Sequence, residues 1–148
     1  MCWVIVMQQR AMHDVARKHF NLFDFQQQYQ WAIDLHKLLN TDFDAIVLTD
    51  TMQKVLWVSE GFKKMTGYAP VDVIGRTPAF LQGEATSLKV RQHIREQLSV
   101  PRPVTERLIN YKKNGLPYTC QVQIRPLFNI HGELAHFIAL EKELRNEV

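Results

Sequence analysis

The last third of the chain is three runs of strand-favouring residues separated by two glycine-bearing turns, Asn114-Gly115 and His131-Gly132. Asn and Gly accept the left-handed backbone angles of tight hairpin turns, so each turn predicts that the flanking runs pair antiparallel. The runs are Val104 to Lys112, Tyr118 to Leu127 and Glu133 to Glu141. In the middle run Cys120, Val122 and Ile124 alternate with Thr119, Gln121, Gln123 and Arg125, which gives a sheet with one face wet at least locally.

Two further strands are expected upstream, Ala45 to Thr49 and Lys54 to Val58, joined by a polar turn around Asp50 and Thr51. Ser59 then caps a short helix that holds Phe62 and Met65 and stops at Gly67. Pro70, Gly75 and Pro78 divide the next stretch into brief helical turns. After Thr86 or Ser87 the apolar residues Val90, Ile94 and Leu98 recur every four positions, a helix closed by Pro101. Before the first strand, Asp24 caps a helix bearing Trp31, Leu35, Leu38 and Leu39 and ended by Asn40. Met12, Val15, Ala16 and Phe20 make a weaker helical face ahead of it, interrupted at Asn21. The order is an α+β fold: a five-stranded antiparallel sheet carrying short helices on one face, able to enclose a cavity, with a helical N-terminal extension.

Composition narrows the function classes. A chain of 148 residues buries roughly 70% of its unfolded surface, enough for one domain without metal or disulfide support. Hydrophobic residues at 46% and charged residues at 22% are ordinary for a soluble globular protein. The net charge of +3 is scattered without a basic stripe, so no nucleic-acid partner is expected. Cys2 and Cys120 lie far apart, which fits a reducing compartment, the cytoplasm, rather than a disulfide framework. The opening MCWVIVM is too short for a membrane span and lacks the features of a signal peptide; it reads as an interface strand or as residues ahead of a true start at Met7 or Met12. His36, His93 and His136 lack the mutual spacing of metal ligands or a catalytic dyad.

Four motifs in order carry a resemblance: SEGFKKMTGY from Ser59, GRTPAFLQG from Gly75, INYKKNGLPY from Ile109 and HFIALE from His136. Together they resemble the PAS family, over about 42–142, and most nearly its light-oxygen-voltage branch. The implied division is a helical extension at 1–41, the PAS domain at 42–142 and a tail at 143–148. In that branch the signature GRNCRFLQ contains the cysteine that attacks a flavin after blue-light excitation, and Pro78 stands at its place. The resemblance therefore implies no adduct photochemistry. It also implies that Asp72, after the TGY motif, lies near Lys113 on a strand turn.

The same alignment implies a pocket containing Gln82, Arg95, Asn110, Cys120 and Glu141. Gln82, Arg95 and Asn110 match the residues that bind flavin mononucleotide (FMN), with Arg95 on the phosphate. Thr77, Ala79, Cys120 and Glu141 depart from the pattern, Ala79 in place of a second phosphate-binding arginine and Glu141 in place of a ring-facing glutamine. One lost charged hydrogen bond costs on the order of 1.5 to 3 kcal/mol, about tenfold to a hundredfold in affinity. A buried Glu141 carboxylate must also take a proton, find a cation or turn outward. Any FMN is thus expected to bind more weakly than in complete members of the branch. Plainer readings make Arg95 a solvated helix charge, Cys120 a small buried hydrophobe and Pro78 a first-turn helix residue.

The expected function is a sensory or signalling module that acts through homodimerisation or an effector protein, since no effector segment follows Val148. The alternatives are a ligand-free docking platform and a flavin-binding redox sensor. An enzyme is not expected, because no nucleophile, base and orienting group fall in proximate motifs. The helix around Trp31 to Leu39 is expected to cover the outer sheet face at Ile138 and Leu140, while Phe137 and Ala139 point to the pocket. That outer region is the expected dimer surface.

Overall fold

The computed structural model describes residues 20–145, so the weak helical face at Met12, Val15 and Ala16 and the apolar opening lie outside the described residues. The chain divides into two compact units, one of residues up to Thr41 with the segment Phe128–Glu133, the other of Asp42–Leu127 with residues from Leu134 onward.

In the first unit the expected single helix is two. Helix α1 spans Phe20–Tyr29, passing through Asn21 without interruption, and α2 spans Leu35–Leu39. Gln30 takes a positive φ of 53° and ends α1. Trp31 then leaves the helix to form a β-bridge with Asn129, and the Ala32 amide donates to the Phe128 carbonyl at 2.8 Å. Asp34, not Asp24, supplies the observed cap, its carboxylate accepting from the Lys37 amide at 3.1 Å, and Asn40 closes α2 as the sequence indicates.

The second unit holds the sheet. Strands β1 (Ala45–Thr49), β2 (Val55–Val58), β3 (Val104–Tyr111), β4 (Pro117–Phe128) and β5 (Leu134–Leu144) are ordered β2-β1-β5-β4-β3. The fold class expected from sequence is the one observed. β5 runs to Leu144, three residues past the expected end of its run. Between β2 and β3 lie α3 (Glu60–Thr66), α4 (Pro70–Val73), a 3-10 turn (Pro78–Leu81) and α5 (Leu88–Ser99). Pro78 occupies the first turn of the 3-10 segment, where its missing N–H is not needed. The Ser87 hydroxyl caps α5 by accepting from the Val90 amide at 3.2 Å.

The three hairpin turns share one construction. In each, residue i accepts from i+3 and donates to i+4: Asp50 with Gln53 and Lys54, Lys112 with Gly115 and Leu116, Asn129 with Gly132 and Glu133. The i+3 residue alone is left-handed, at φ 64° for Gln53, 88° for Gly115 and 78° for Gly132. This is a type I turn closed by a glycine-type bulge. Asp50 and Asn129 brace their turns by accepting two backbone amides each on one side-chain oxygen.

On the sheet face that carries the helices, Ala45, Val47, Val55 and Val58 pack with Phe62, Met65, Val73, Leu81, Tyr118 and Cys120. A second cluster joins Leu98, Val104 and Phe137. Ser59 occupies the N-cap position of α3, yet its hydroxyl makes no cap bond; it accepts instead from the Ile46 amide of β1 at 2.8 Å. Gly61 is required here, because a Cβ on it would lie 1.9 Å from the Asp44 carbonyl oxygen. Gly67 ends α3 in the left-handed conformation at φ 83°. Lys113 Nζ lies 3.7 Å from Asp72 Oδ2, as the alignment implies. Its neighbour Lys112 is held inside: Nζ donates to the Met65 carbonyl at 2.9 Å and to Glu143 at 2.5 Å, and stands 5.1 Å from the Tyr118 ring centre.

Candidate functional site

Alternation along the strands places one residue in two on the helix-bearing face, and α5 and the 3-10 turn lie opposite. Between them is a cavity of about 440 Å³, within the range of small-ligand sites. Its sheet wall is Val47 and Thr49 of β1, Leu108 and Asn110 of β3, Val122 and Ile124 of β4, and Phe137, Ala139 and Glu141 of β5. Phe137 and Ala139 thus face the pocket, as their position in the strand predicts. The opposite wall is Thr77, Pro78, Ala79, Leu81 and Gln82, then Arg91, Ile94, Arg95 and Leu98 of α5, with Met52 and Gln53 of the β1–β2 turn also contributing.

The wall is apolar with a few fixed polar groups, and several of those have no hydrogen-bond partner among the described residues. Gln82 Oε1, Asn110 Oδ1 and Glu141 Oε2 are buried and orphaned. Glu141 is 5% exposed, and Asn110 likewise 5%. Burial pushes the Glu141 carboxyl up to about 7, because the charged form loses its water without gaining a cation. Of the three fates open to a buried carboxylate, this one neither turns outward nor finds a cation. Glu143, two residues on, behaves oppositely: partial burial works to raise its pKa, but the hydrogen bond and charge of Lys112, with Arg145 behind, outweigh that and hold it below its usual value.

On the same sheet face, Tyr118 of β4 stands opposite Asn110 of β3. Burial first, and the Glu141 charge second, raise its hydroxyl pKa. Asn110 stands near enough to oppose that rise slightly, yet neither the Tyr118 hydroxyl nor Asn110 Oδ1 reaches hydrogen-bond geometry. Cys120 is 0% exposed in the core cluster and does not line the cavity. Burial and the neighbouring Glu141 charge raise its thiol pKa, which keeps it protonated.

Four of the five pocket residues named from sequence, Gln82, Arg95, Asn110 and Glu141, therefore meet at one cavity; Cys120, opposite Leu108 on the same sheet face, packs in the core cluster and is not part of the lining. Sequence reasoning missed Arg91. It precedes Arg95 by four residues, one helical turn, so both guanidinium groups project from the same side of α5. Arg91 is half-buried and Arg95 exposed, and among the described residues neither is in an ion pair.

A family model described as a PAS domain matches residues 44–145. A blue-light photoreceptor of Listeria monocytogenes is 30% identical over 114 residues, 75% of this chain and 45% of that protein. Phototropin-2 of Oryza sativa is 36% identical over 90 residues, 61% of this chain and 10% of its own. A voltage-gated inwardly rectifying potassium channel of Homo sapiens is 38% identical over 92 residues, 61% of this chain and 8% of the channel. The chain thus spans less than half the length of these relatives. A solved light-oxygen-voltage domain studied with a flavin analogue superposes with a TM-score of 0.70 at 28% identity, covering 78% of this chain and 88% of that one. The dark structure of the Aureochrome1 light-oxygen-voltage domain, at 23% identity and a TM-score of 0.72 over 78% of this chain and 86% of that one, shows the fold alone.

Proposed function

Because this chain belongs to the PAS domain family, we propose that it is a sensory module whose cavity holds a small ligand and which signals without forming a light-driven flavin adduct. The observation that carries the reading is the cavity itself, with buried, unpartnered polar atoms of Gln82, Asn110 and Glu141 on its walls. A platform that serves docking alone has no use for three orphaned polar groups, each of which costs on the order of 1 to 3 kcal/mol.

FMN is the ligand against which the residues can be tested. Gln82, Asn110 and Arg95 suit it, whereas Ala79 offers no phosphate contact and Glu141 sets a carboxylate where the ring would present carbonyl oxygens. The residues present fit it poorly. Absence of the adduct is supported by Pro78 on the cavity wall and by the burial of Cys120, which is not among the residues that line the cavity. Output passes, on this reading, through homodimerisation or through an effector protein in the cytoplasm. No helix among the described residues is long and apolar enough to cross a membrane.

The experiment supplies excess FMN, records the visible spectrum before and after blue light, and repeats this with Pro78→Cys and Ala79→Arg combined. The unmodified protein is expected to release FMN on dialysis and to show no reversible bleaching. Adduct-like bleaching of the unmodified protein contradicts the proposal; stoichiometric FMN surviving dialysis contradicts the poor fit of FMN and leaves the ligand-binding reading standing.

A further inference from the structure

The cavity has two chemically distinct ends, and their pairing specifies a ligand. On the sheet side, Glu141 Oε2 of β5 is buried without a partner, and the amide oxygen of Asn110, two strands away on β3, is orphaned on the same wall. An amide can turn to present either N–H or C=O, so Asn110 and Gln82 adapt to what arrives. A carboxylate cannot: once ionised it only accepts, and its two oxygens match a pair of parallel N–H donors. On the helix side, Arg91 and Arg95 offer guanidinium groups without an ion-pair partner among the described residues. Between the two ends the walls are apolar, with Val47, Leu108, Ile124 and Phe137 suited to a flat ring.

We propose that the cavity binds a heteroaromatic compound whose ring edge carries two adjacent N–H donors, as in an amidine or 2-amino lactam, on Glu141, and whose acidic tail lies on Arg91 and Arg95. This deepens the ligand-binding reading given above and rests on it. The N–H pair supplies the donors that Glu141 lacks. An imide edge, with one N–H between two carbonyls, instead sets oxygen against oxygen. The carboxylate therefore discriminates against the very edge that a neutral amide tolerates, because a repulsive contact in a dry site separates ligands more sharply than a missing attraction.

Two matched pairs of probes isolate the edge. Guanosine 5′-monophosphate carries the N–H pair and inosine 5′-monophosphate has hydrogen in place of the amino group; 6-carboxypterin carries the same pair on a smaller molecule, and 6-carboxylumazine has a carbonyl in place of the amino group, which makes the imide edge. Titration calorimetry on the full chain, at pH 8 where Glu141 is ionised, is expected to favour the amino member of at least one pair by about tenfold to a hundredfold. Glu141→Gln is expected to abolish that preference and to tighten FMN, with circular dichroism confirming the fold. Arg91→Gln with Arg95→Gln is expected to weaken guanosine 5′-monophosphate while leaving the affinity for uncharged guanosine unchanged. Equal affinities within both pairs, or a preference that survives Glu141→Gln, overturn the assignment. If FMN binds the unmodified chain and no amino probe does, the ligand-binding reading stands and this assignment falls; if nothing binds, both fall.

Discussion

At the scale of single residues, Glu141 is the group whose behaviour differs most from its free chemistry. Its folded pKa of about 7 lies above the ordinary carboxylate value, so the folded chain holds a proton that the unfolded chain releases. That contribution to stability is full below about pH 4.5, falls as pH rises through the folded pKa, and amounts to on the order of 3 kcal/mol. Other groups oppose it: Glu143 is held below its ordinary value, and burial lowers the His136 pKa, so both lose stability as pH falls. The clean measurement is therefore a difference. Glu141→Gln should gain stability over the unmodified chain between pH 5 and pH 8 by about 2 to 3 kcal/mol in urea denaturation; a gap independent of pH would mean that Glu141 is ionised throughout.

At the scale of elements, the junction of β1 and α3 depends on two small residues. Gly61 lets the first turn of α3 pass against the Asp44 carbonyl, and Gly61→Ala is expected to cost about 3 kcal/mol or more, because backbone must move to clear the Cβ. Ser59→Ala removes the acceptor for the buried Ile46 amide and should cost about 1 to 3 kcal/mol. A loss of only a few tenths, read as a nearly unchanged denaturation midpoint, would show that the contact to the Ile46 amide contributes little. The β1–β2 turn carries the reverse case: Gln53 holds a left-handed φ without being glycine, and Gln53→Gly should stabilise by up to about 1 kcal/mol. The turn chemistry of Asp50 was legible in the sequence; the left-handed glutamine was not, since Gln carries no local preference for that conformation.

At the scale of the whole molecule, the expected consequence is self-association. Light scattering at high protein concentration should give a mass near twice 17.4 kDa. A strictly monomeric mass rules out homodimer output and leaves an effector protein as the route. Ligand occupancy has its own signature at this scale, because a compound bound only by the folded state raises the melting temperature with its concentration. The preferred amino probe should therefore shift melting more than its matched partner at equal concentration, and Glu141→Gln should erase the difference.

Local pattern in the chain was enough to specify the sheet, the positions of its five strands, the short helices between Ser59 and Ser99 and, through the resemblance, four of the residues that line the cavity. These follow from alternation, helical spacing and turn residues, which act between near neighbours along the chain, and from motifs whose spacing is preserved. Tertiary structure decided what depends on distant partners. The helix expected from Asp24 to Asn40 breaks at Gln30 because Trp31 pairs with Asn129, a residue whose proximity no local pattern reveals. Ser59 turns from its helix to the Ile46 amide because β1 runs beside it. Arg91 joins Arg95 at the cavity through the orientation of α5. Glu141 is written plainly in the chain, but its missing partner is a property of everything folded around it: desolvation is set by the surrounding volume, and no sequence position states that volume.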